Sequence, residues 1–289
     1  MPTNIEWTQN KDGTKGETWN PVTGCTKISE GCRNCYAQRM AHRLAGRFGY
    51  PEAPNEFRVT LHEDRLNEPY RWKKPRMVFV CSMGDLFHED VPDMELDKIF
   101  DRIFDDGISD HIFQILTKRP ERMYEYISDL NFPSPVENVW FGVTAENQAA
   151  ADERIPWLLK TPAAVRFVSV EPMLGHVDLS SVGSYGMGQC MECGGSGYTA
   201  GHYFSEDGIG LCDSCKGSGE GPSLDWVICG GETGPGARPM DWHWAESLHQ
   251  QCLDADVPFF FKRAGDAFED NPALLPTTRQ WPKVVTDAA

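Results

Sequence analysis

Long apolar runs are missing from this sequence of 289 residues, and none approaches the about 20 residues that a membrane-spanning helix needs. Residues 1–7 also lack the basic stretch followed by an apolar stretch that marks a secretory signal. We therefore expect a cytoplasmic protein with no membrane partner.

Positive charge is also scarce, because 27 Lys and Arg stand against 43 Asp and Glu, for a formal net charge of −16. Such a surface repels a phosphate backbone on average, so broad nonspecific binding of nucleic acid is not favoured. A local basic groove would still allow a nucleic-acid partner. The nucleophile motifs of Ser/His and paired-carboxylate hydrolases are absent, and a hydrolase is therefore unsupported.

Cysteine, by contrast, is abundant. Seven of the ten cysteines fall in two tight clusters, while Cys81, Cys229 and Cys252 stand apart. In a cytosolic chain, clustered cysteines indicate metal ligands rather than disulfides.

Short apolar runs alternate with helical patterns along the chain. Strands are predicted near 18–22, 77–81, 112–116, 139–143, 165–170, 226–229 and 258–261. Their nearly continuous hydrophobicity is typical of parallel strands buried on both faces. Helices are predicted over 36–48, 93–106, 120–130, 147–160 and 241–255, and Pro156 is expected to break or kink the fourth.

This alternation predicts an α/β fold with a parallel sheet, as a partial or complete β/α (TIM-like) barrel. A doubly wound open sheet is the alternative. The predicted barrel covers residues 1–182 and 223–289. Residues 183–222 are rich in Gly, Ser and Cys and have no helical period, so they are predicted to form an inserted module on a βα connection.

The first cysteine cluster is Cys25, Cys32 and Cys35, with the spacing C-x₆-C-x₂-C. It follows the first predicted strand and precedes the first helix, which places it at the mouth of a barrel, where active sites lie. Three thiolates can hold three irons of a [4Fe–4S] cluster and leave the fourth iron open. Structural zinc is the alternative, with His42 as a fourth ligand.

Residues 18–37 and 81–88 resemble an uncharacterised phage-encoded family that is similar to radical S-adenosylmethionine (SAM) proteins, and the resemblance extends through 168–172 and 230–232. It implies a partial barrel of the radical SAM type, a [4Fe–4S] cluster, SAM and an electron donor protein or reductant. It names no substrate, although a phage setting would suit modification of a nucleotide or nucleic acid.

Two features depart from the commonest radical SAM pattern. Six residues, rather than the usual three, separate the first two cysteines, and Asn34 stands where an aromatic residue usually packs on adenine. Tyr36 lies just beyond that position, and we assign it to the cofactor.

Many radical SAM proteins have a Gly-Gly-Glu motif after the second strand, where it contacts the amino group of SAM. By order along the chain, Gly84 and Asp85 are the counterpart here: the glycine allows close backbone approach and the carboxylate accepts hydrogen bonds from an ammonium. A literal Gly230-Gly231-Glu232 follows a later strand, and we assign it to SAM or substrate contacts. Both turns could also be purely structural.

Polar residues gather where other strands should end, and on a barrel they would converge on one mouth. Lys118 and Glu171 are assigned to cofactor binding. The basic members could bind the SAM carboxylate or a substrate phosphate. The whole group is Thr117, Lys118, Arg119, Thr144, Glu146, Asn147, Glu171, Lys262 and Arg263.

The second cluster has the spacing C-x₂-C-x₁₈-C-x₂-C, which favours tetrahedral Zn²⁺ on the four thiolates of Cys190, Cys193, Cys212 and Cys215. Each pair continues into a glycine-rich turn, and these residues alone resemble the zinc knuckles of DnaJ-type chaperones. The insertion has little apolar material, so the metal would have to supply its folding free energy. An auxiliary iron–sulfur cluster is the alternative.

Two functions therefore stand as hypotheses. The first is an enzyme that cleaves SAM reductively to start radical chemistry on an unknown substrate. The second is a non-enzymatic metalloprotein, with two structural metal sites, that acts in host or DNA interaction.

Overall fold

The structure is a computed structural model that describes residues 2–10, 12–130, 136–180, 198–200, 209–211, 223–268 and 276–282. The α-helices and strands follow one another as β1 (Glu17–Trp19), β2 (Val22–Thr23), α1 (Tyr36–Leu44), β3 (Thr60–Leu61), β4 (Met77–Val80), α2 (Asp93–Ile103), β5 (Ile112–Thr117), α3 (Pro120–Asp129), β6 (Val139–Thr144), α4 (Gln148–Lys160), β7 (Val165–Val170), β8 (Tyr198–Ala200), β9 (Ile209–Leu211), β10 (Trp226–Gly230), α5 (Trp242–Asp254) and β11 (Phe259–Arg263).

Seven strands form one parallel sheet in the order β1-β4-β5-β6-β7-β10-β11, and the sheet curls into a half-barrel. The order in space is the order along the chain, so every crossover steps in the same direction. A doubly wound sheet reverses its strand order at a switch point. That alternative is therefore wrong, and the prediction of a partial parallel β/α barrel is the one that fits.

The strands are buried on both faces, as their continuous hydrophobicity predicted. Every residue of β4, β6 and β10 is buried. The convex face packs against the helices, whose apolar stripes include Leu96, Ile99 and Ile103 of α2. Parallel strands need crossover connections, and the helices that cover this face are those connections.

A second hydrophobic core contains no helix residue, so it lies on the concave face of the half-barrel. Aromatic rings dominate it and meet edge to face, a favourable arrangement. The rings of Trp140 and Trp226 are 6.1 Å apart at 84°, and Trp7, from the segment before β1, lies 4.9 Å from Phe79. The N-terminal segment thereby helps to fill the inside of the curve.

The predicted first strand divides in two. β1 ends at Trp19, and Val22–Thr23 pairs antiparallel with Thr60–Leu61 instead of continuing in the main sheet. Pro21 has no N–H for a sheet ladder, and the Asn20 side chain accepts a hydrogen bond from the Met83 N–H at 3.0 Å. The proline thus interrupts the backbone ladder with β4, and the Asn20 side chain takes the place of a backbone acceptor for Met83.

Pro156 does not break α4, which runs through it from Gln148 to Lys160, so the predicted break is wrong, while the alternative of a kink stays a prediction. Tertiary packing outweighs the missing backbone donor, because Ile155, Leu158 and Leu159 around the proline are all buried in the main core.

Within the predicted insertion, β8 and β9 pair antiparallel as a separate two-stranded sheet. Cys190, Cys193, Cys212 and Cys215 lie outside the described residues. In the part of the chain that the structure describes, no helix is long and apolar enough to cross a membrane.

The tight concave core generates a stability prediction. A Cβ added at Gly142 would clash with the Phe167 ring, which is fixed among other rings. We expect Gly142→Ala to lower the free energy of unfolding by about 1–3 kcal/mol through overpacking, measured as a lower urea midpoint at unchanged slope. Gly175→Ala is the matched control, since its Cβ would meet Asn147 at an ordinary 3.6 Å. Equal losses from both variants would contradict the packing argument.

Candidate functional site

The cysteine loop, residues 24–35, leaves the carboxyl edge of the sheet beside the end of β4 and leads into α1. Gly24 forms a parallel bridge with Gly84, and its N–H donates to the Met83 carbonyl at 2.9 Å. A side chain at Gly84 would lie 2.8 Å from the Gly24 carbonyl oxygen, so the close approach requires glycine. The structure thus brings together the loop and the turn that contains Asp85.

The three thiols of this loop are free and partly exposed. Burial and the nearby Asp85 charge raise the pKa of Cys25 to about 11, against the opposing effect of Arg119. Burial also acts to raise the pKa of Cys32, but a backbone hydrogen bond from Ile28 and the positive charge of Lys118 outweigh it and lower that pKa. The Arg119 guanidinium donates to the Cys25 sulfur at 3.5 Å.

Asp85 is the first of three buried carboxylates around the loop, and it is only 5% exposed. One oxygen accepts from the Thr117 hydroxyl at 2.7 Å and the Phe87 N–H at 3.1 Å. The other accepts from the Lys118 N–H at 3.2 Å and the Arg119 guanidinium at 3.1 Å. These four donors occupy the capacity of a carboxylate, so in this arrangement Asp85 orients Arg119.

Arg119 extends this anchor to the loop. It donates to the Thr26 hydroxyl at 2.8 Å and pairs with Glu89 at 2.7 Å. His88, which is fully buried, accepts from the Asp90 N–H at Nδ1, so Nε2 carries the proton and donates to Thr26 at 2.8 Å. Burial and the Arg119 charge lower the pKa of His88, which keeps it neutral.

Glu146 is the second carboxylate. It lies just beyond β6 and is 1% exposed. One oxygen pairs with Arg154 at 2.6 Å, and the other accepts from the Ser29 hydroxyl of the loop. Gly31 packs directly on the Glu146 side chain, where a Cβ would clash. Burial acts to raise the pKa of Glu146, but the positive charges of Lys118 and Arg154 outweigh it and lower that pKa.

Glu232 is the third, just beyond β10, and is 5% exposed. It accepts from the Arg238 guanidinium at 2.7 and 2.9 Å and from the Asn34 amide at 2.9 Å. Arg238 also donates to the loop carbonyl of Glu30 at 2.9 Å. Burial opposes ionisation, but the hydrogen bonds from Arg238 and Asn34 lower the pKa of Glu232 to about 2.

The three carboxylates share one design. They follow β4, β6 and β10, which are alternate strands of the sheet, and each pairs with an arginine: Asp85 with Arg119, Glu146 with Arg154 and Glu232 with Arg238. The first anchor contacts the loop at Cys25 and Thr26, the second at Ser29 and Gly31, and the third at Asn34. The loop is therefore fixed near each of its cysteines.

Other predicted site residues lie apart from these anchors. Glu171 and Lys262 form an ion pair of 2.5 Å beside Gly230, at the ends of β7 and β11. Arg263 pairs with Glu6 at 2.5 Å instead of joining the loop. The Tyr36 side chain is 60% exposed on α1.

Gly231 packs tightly against the Ala264 backbone, which leaves no room for a side chain. Sequence reasoning missed Arg154, Arg238 and His88. The two arginines lie eight and six residues after their partners, Glu146 and Glu232, a local acid–arginine spacing that could have signalled them.

Among the described residues, no three His, Cys, Asp or Glu side chains converge in a way that could hold a single metal ion. His42, the proposed fourth zinc ligand, has a 75% exposed side chain and hydrogen-bonds Glu56 at 2.9 Å. In a [4Fe–4S] cluster each thiolate binds a different iron, so the sulfurs need not share one centre.

The low pKa of Glu232 predicts how this anchor responds to acid. A carboxylate whose pKa falls from 4.5 to about 2 on folding stabilises the protein above pH 4.5, and that contribution is lost as the pH falls through 2. The free-energy gap between the parent and Glu232→Gln should therefore shrink by about 3 kcal/mol between about pH 5 and pH 2.

Denaturant titrations at a series of pH values would measure this gap. Glu246→Gln, at an exposed position of α5, is the control and should give a gap that does not change with pH. A constant gap for Glu232→Gln as well would show that the folded protein does not stabilise the Glu232 charge.

Comparison with known proteins gives one match. The family model described as "Protein of unknown function (DUF5131)" covers residues 2–284. No curated protein and no solved structure matches the chain. The match spans nearly the whole half-barrel and all three anchors, and the chain belongs to the DUF5131 family.

Proposed function

We propose that Cys25, Cys32 and Cys35 hold a [4Fe–4S] cluster and that the protein is a radical SAM-type enzyme. The observation that carries the proposal is the fixed loop: three thiols at the carboxyl edge of a parallel half-barrel, each beside a buried carboxylate–arginine anchor. Active sites of β/α barrels lie at this edge.

The donor set fits the cluster. Three thiolates would bind three irons and leave the fourth open for the amino and carboxylate groups of SAM. When bound and reduced by one electron from a donor protein or a small reductant, the cluster would supply the electron that breaks the sulfonium C–S bond of SAM, giving methionine and a 5′-deoxyadenosyl radical.

The chain's own residues would stabilise the negative charge that three thiolates bring. The anchors are neutral as pairs, because each carboxylate meets an arginine. Lys118 adds a positive charge beyond these neutral pairs, and that charge lowers the pKa of both Cys32 and Glu146. The Arg119 guanidinium donates to the Cys25 sulfur at 3.5 Å, and it would offset part of the negative charge of that sulfur once iron had replaced its proton.

SAM itself would be oriented by groups that retain exposure. Asp85 and Glu232 are already saturated with protein donors, whereas Glu171 and Lys262 are about one-fifth exposed, at 21% and 17%. The Glu171 carboxylate suits an ammonium and the Lys262 ammonium suits a carboxylate. Gly230 would let the ligand approach the backbone closely, and the Tyr36 ring would lie at the edge of the site.

The rival function is a non-enzymatic metalloprotein, for which the same anchors would hold a structural metal. Anaerobic reconstitution with iron and sulfide separates the two. The enzyme requires an oxygen-sensitive brown protein that releases 5′-deoxyadenosine from SAM after reduction. Stable zinc in the loop, with no SAM binding, would establish the rival.

The ligand assignment makes a direct prediction. We expect Cys25→Ala, Cys32→Ala and Cys35→Ala each to lose the cluster while the fold survives. A cluster held by three thiolates would keep only two protein ligands in each variant. Iron content and the visible absorption band should collapse in each variant.

Cys252→Ala is the matched control. Cys252 is 2% exposed on α5, within the main core, and its loss should leave the iron content at the parent level. Full cluster retention in any one of the three loop variants would remove that residue from the ligand set.

For the insertion we propose a zinc-binding module, with a radical SAM-type barrel formed by the rest of the chain. X-ray absorption at the zinc edge should show one zinc with four sulfur ligands, from Cys190, Cys193, Cys212 and Cys215. Nitrogen ligands would contradict the assignment, and iron there would favour the auxiliary cluster.

A further inference from the structure

Charge is unevenly distributed along this acidic chain. The connection from β1 to β4, residues 20–76, contains eleven Lys and Arg against six Asp and Glu, although the whole chain has 27 against 43. Within it, residues 31–51 contain four arginines and no acidic residue. This basic region begins at the cysteine loop and continues along α1.

Helix α1 presents part of this region on its outer face. Ala37 and Ala41 are buried against the protein, whereas Tyr36 and Arg43, which are seven residues apart and therefore nearly aligned along the helix, are exposed. Beyond the helix, the Arg47 guanidinium donates to the Arg43 carbonyl at 2.8 Å, which places a second exposed cation near Arg43.

We call this surface the basic stripe and define it by Lys27, Arg33, Tyr36, Arg43, Arg47 and Phe48, all of which are exposed. Its four cations have no carboxylate partner among the described residues. Lys27 donates to the Arg33 carbonyl at 3.3 Å, and the Arg43 guanidinium lies 3.9 Å from a thioether sulfur. The arginines of the three anchors, by contrast, are all paired.

The exposed ring of Phe48 also indicates a binding surface, independently of the charge. Its side chain is 76% exposed and its backbone is in the left-handed region, with φ of 52°. A bulky residue is an outlier in that conformation, which favours glycine or asparagine. Neither burial nor backbone preference accounts for a phenylalanine here. Tyr36 at the start of α1 and Phe48, four residues after its end, are both exposed rings, and exposed rings are platforms on which bases stack.

We propose that the basic stripe binds single-stranded nucleic acid, with phosphates on Lys27, Arg33, Arg43 and Arg47 and bases on Tyr36 and Phe48. Arg43 and Arg47 are four residues apart in the sequence, and the hydrogen bond from the Arg47 guanidinium to the Arg43 carbonyl holds these two residues close to each other, which suits successive phosphates of an extended strand. A nucleic acid bound along the stripe would reach the cysteine loop. That its nucleotide would react there rests on the proposed radical SAM function.

Single strands are favoured over the other polyanions. A duplex is a wide, stiff rod that would bring its second strand against the acidic remainder of the surface. An acidic protein would use the cations but leave both exposed rings without a role. Arginine, with its planar fork of donors, is also the residue best suited to phosphate recognition.

Fluorescence anisotropy with short labelled oligo-U and oligo-dT, across a salt series, tests the proposal. Arg43→Gln/Arg47→Gln should weaken binding at least about tenfold at low salt and lower the slope of log affinity against log salt by about 1.4, since each phosphate contact on a single strand contributes about 0.7. Phe48→Gln should weaken binding about fivefold or more without changing the slope, because stacking carries no charge.

Lys73→Gln/Lys74→Gln is the matched control. It removes the same charge from an exposed segment just before β4, at the opposite edge of the sheet, and should leave affinity and slope near the parent values. An equal loss in this control, no binding of either oligonucleotide at low salt, or equally tight binding of labelled polyglutamate would overturn the proposal. The last result would identify an acidic-protein surface instead.

This test is separable from the proposed enzyme function. Binding on the stripe needs no cluster, so the protein before reconstitution with iron and sulfide should bind oligonucleotides as the reconstituted protein does. SAM cleavage without oligonucleotide binding would overturn the stripe alone. Oligonucleotide binding without SAM cleavage would support the stripe and overturn the enzyme.

Discussion

A carboxylate buried beneath a protein surface is stable only where hydrogen-bond donors and a positive charge meet it. Three carboxylates at one edge of this sheet obey that constraint, and the cysteine loop supplies part of what they need. Ser29 donates to Glu146, Asn34 donates to Glu232, and Thr26 shares the guanidinium that satisfies Asp85. The loop and the three charges therefore depend on each other, and a change in the loop would leave buried charges with too few partners.

The curl of the sheet allows one loop to contact all three carboxylates. Strand ends on a flat sheet of seven strands would be spread in a line, whereas a half-barrel turns the ends of β4, β6 and β10 toward one loop. Large rings on the concave face, among them Trp140 and Trp226, fill the curve and resist flattening. Packing deep in the sheet thus controls the spacing of the anchors at its edge.

The sequence was enough to predict most of the framework but little of the anchoring. Continuous apolar runs located the strands of the sheet, and cysteine spacing located the loop, because both signals are local. Asp85 was expected to face a ligand, yet it is saturated by donors from β5 and its following turn, a pairing set by the tertiary fold. The split at Pro21 and the continuity of α4 through Pro156 likewise depend on what packs nearby.

Arginine has two separate uses in this acidic chain, and the difference lies in its partners. Arg119, Arg154 and Arg238 are paired with buried carboxylates, so their charges are cancelled where they stand. Arg43 and Arg47 have no such partner among the described residues, so their field extends into solvent. An acidic surface elsewhere would repel a polyanion that approached in any other orientation. The net charge of −16 therefore does not oppose binding at the basic stripe; it restricts where such binding can occur.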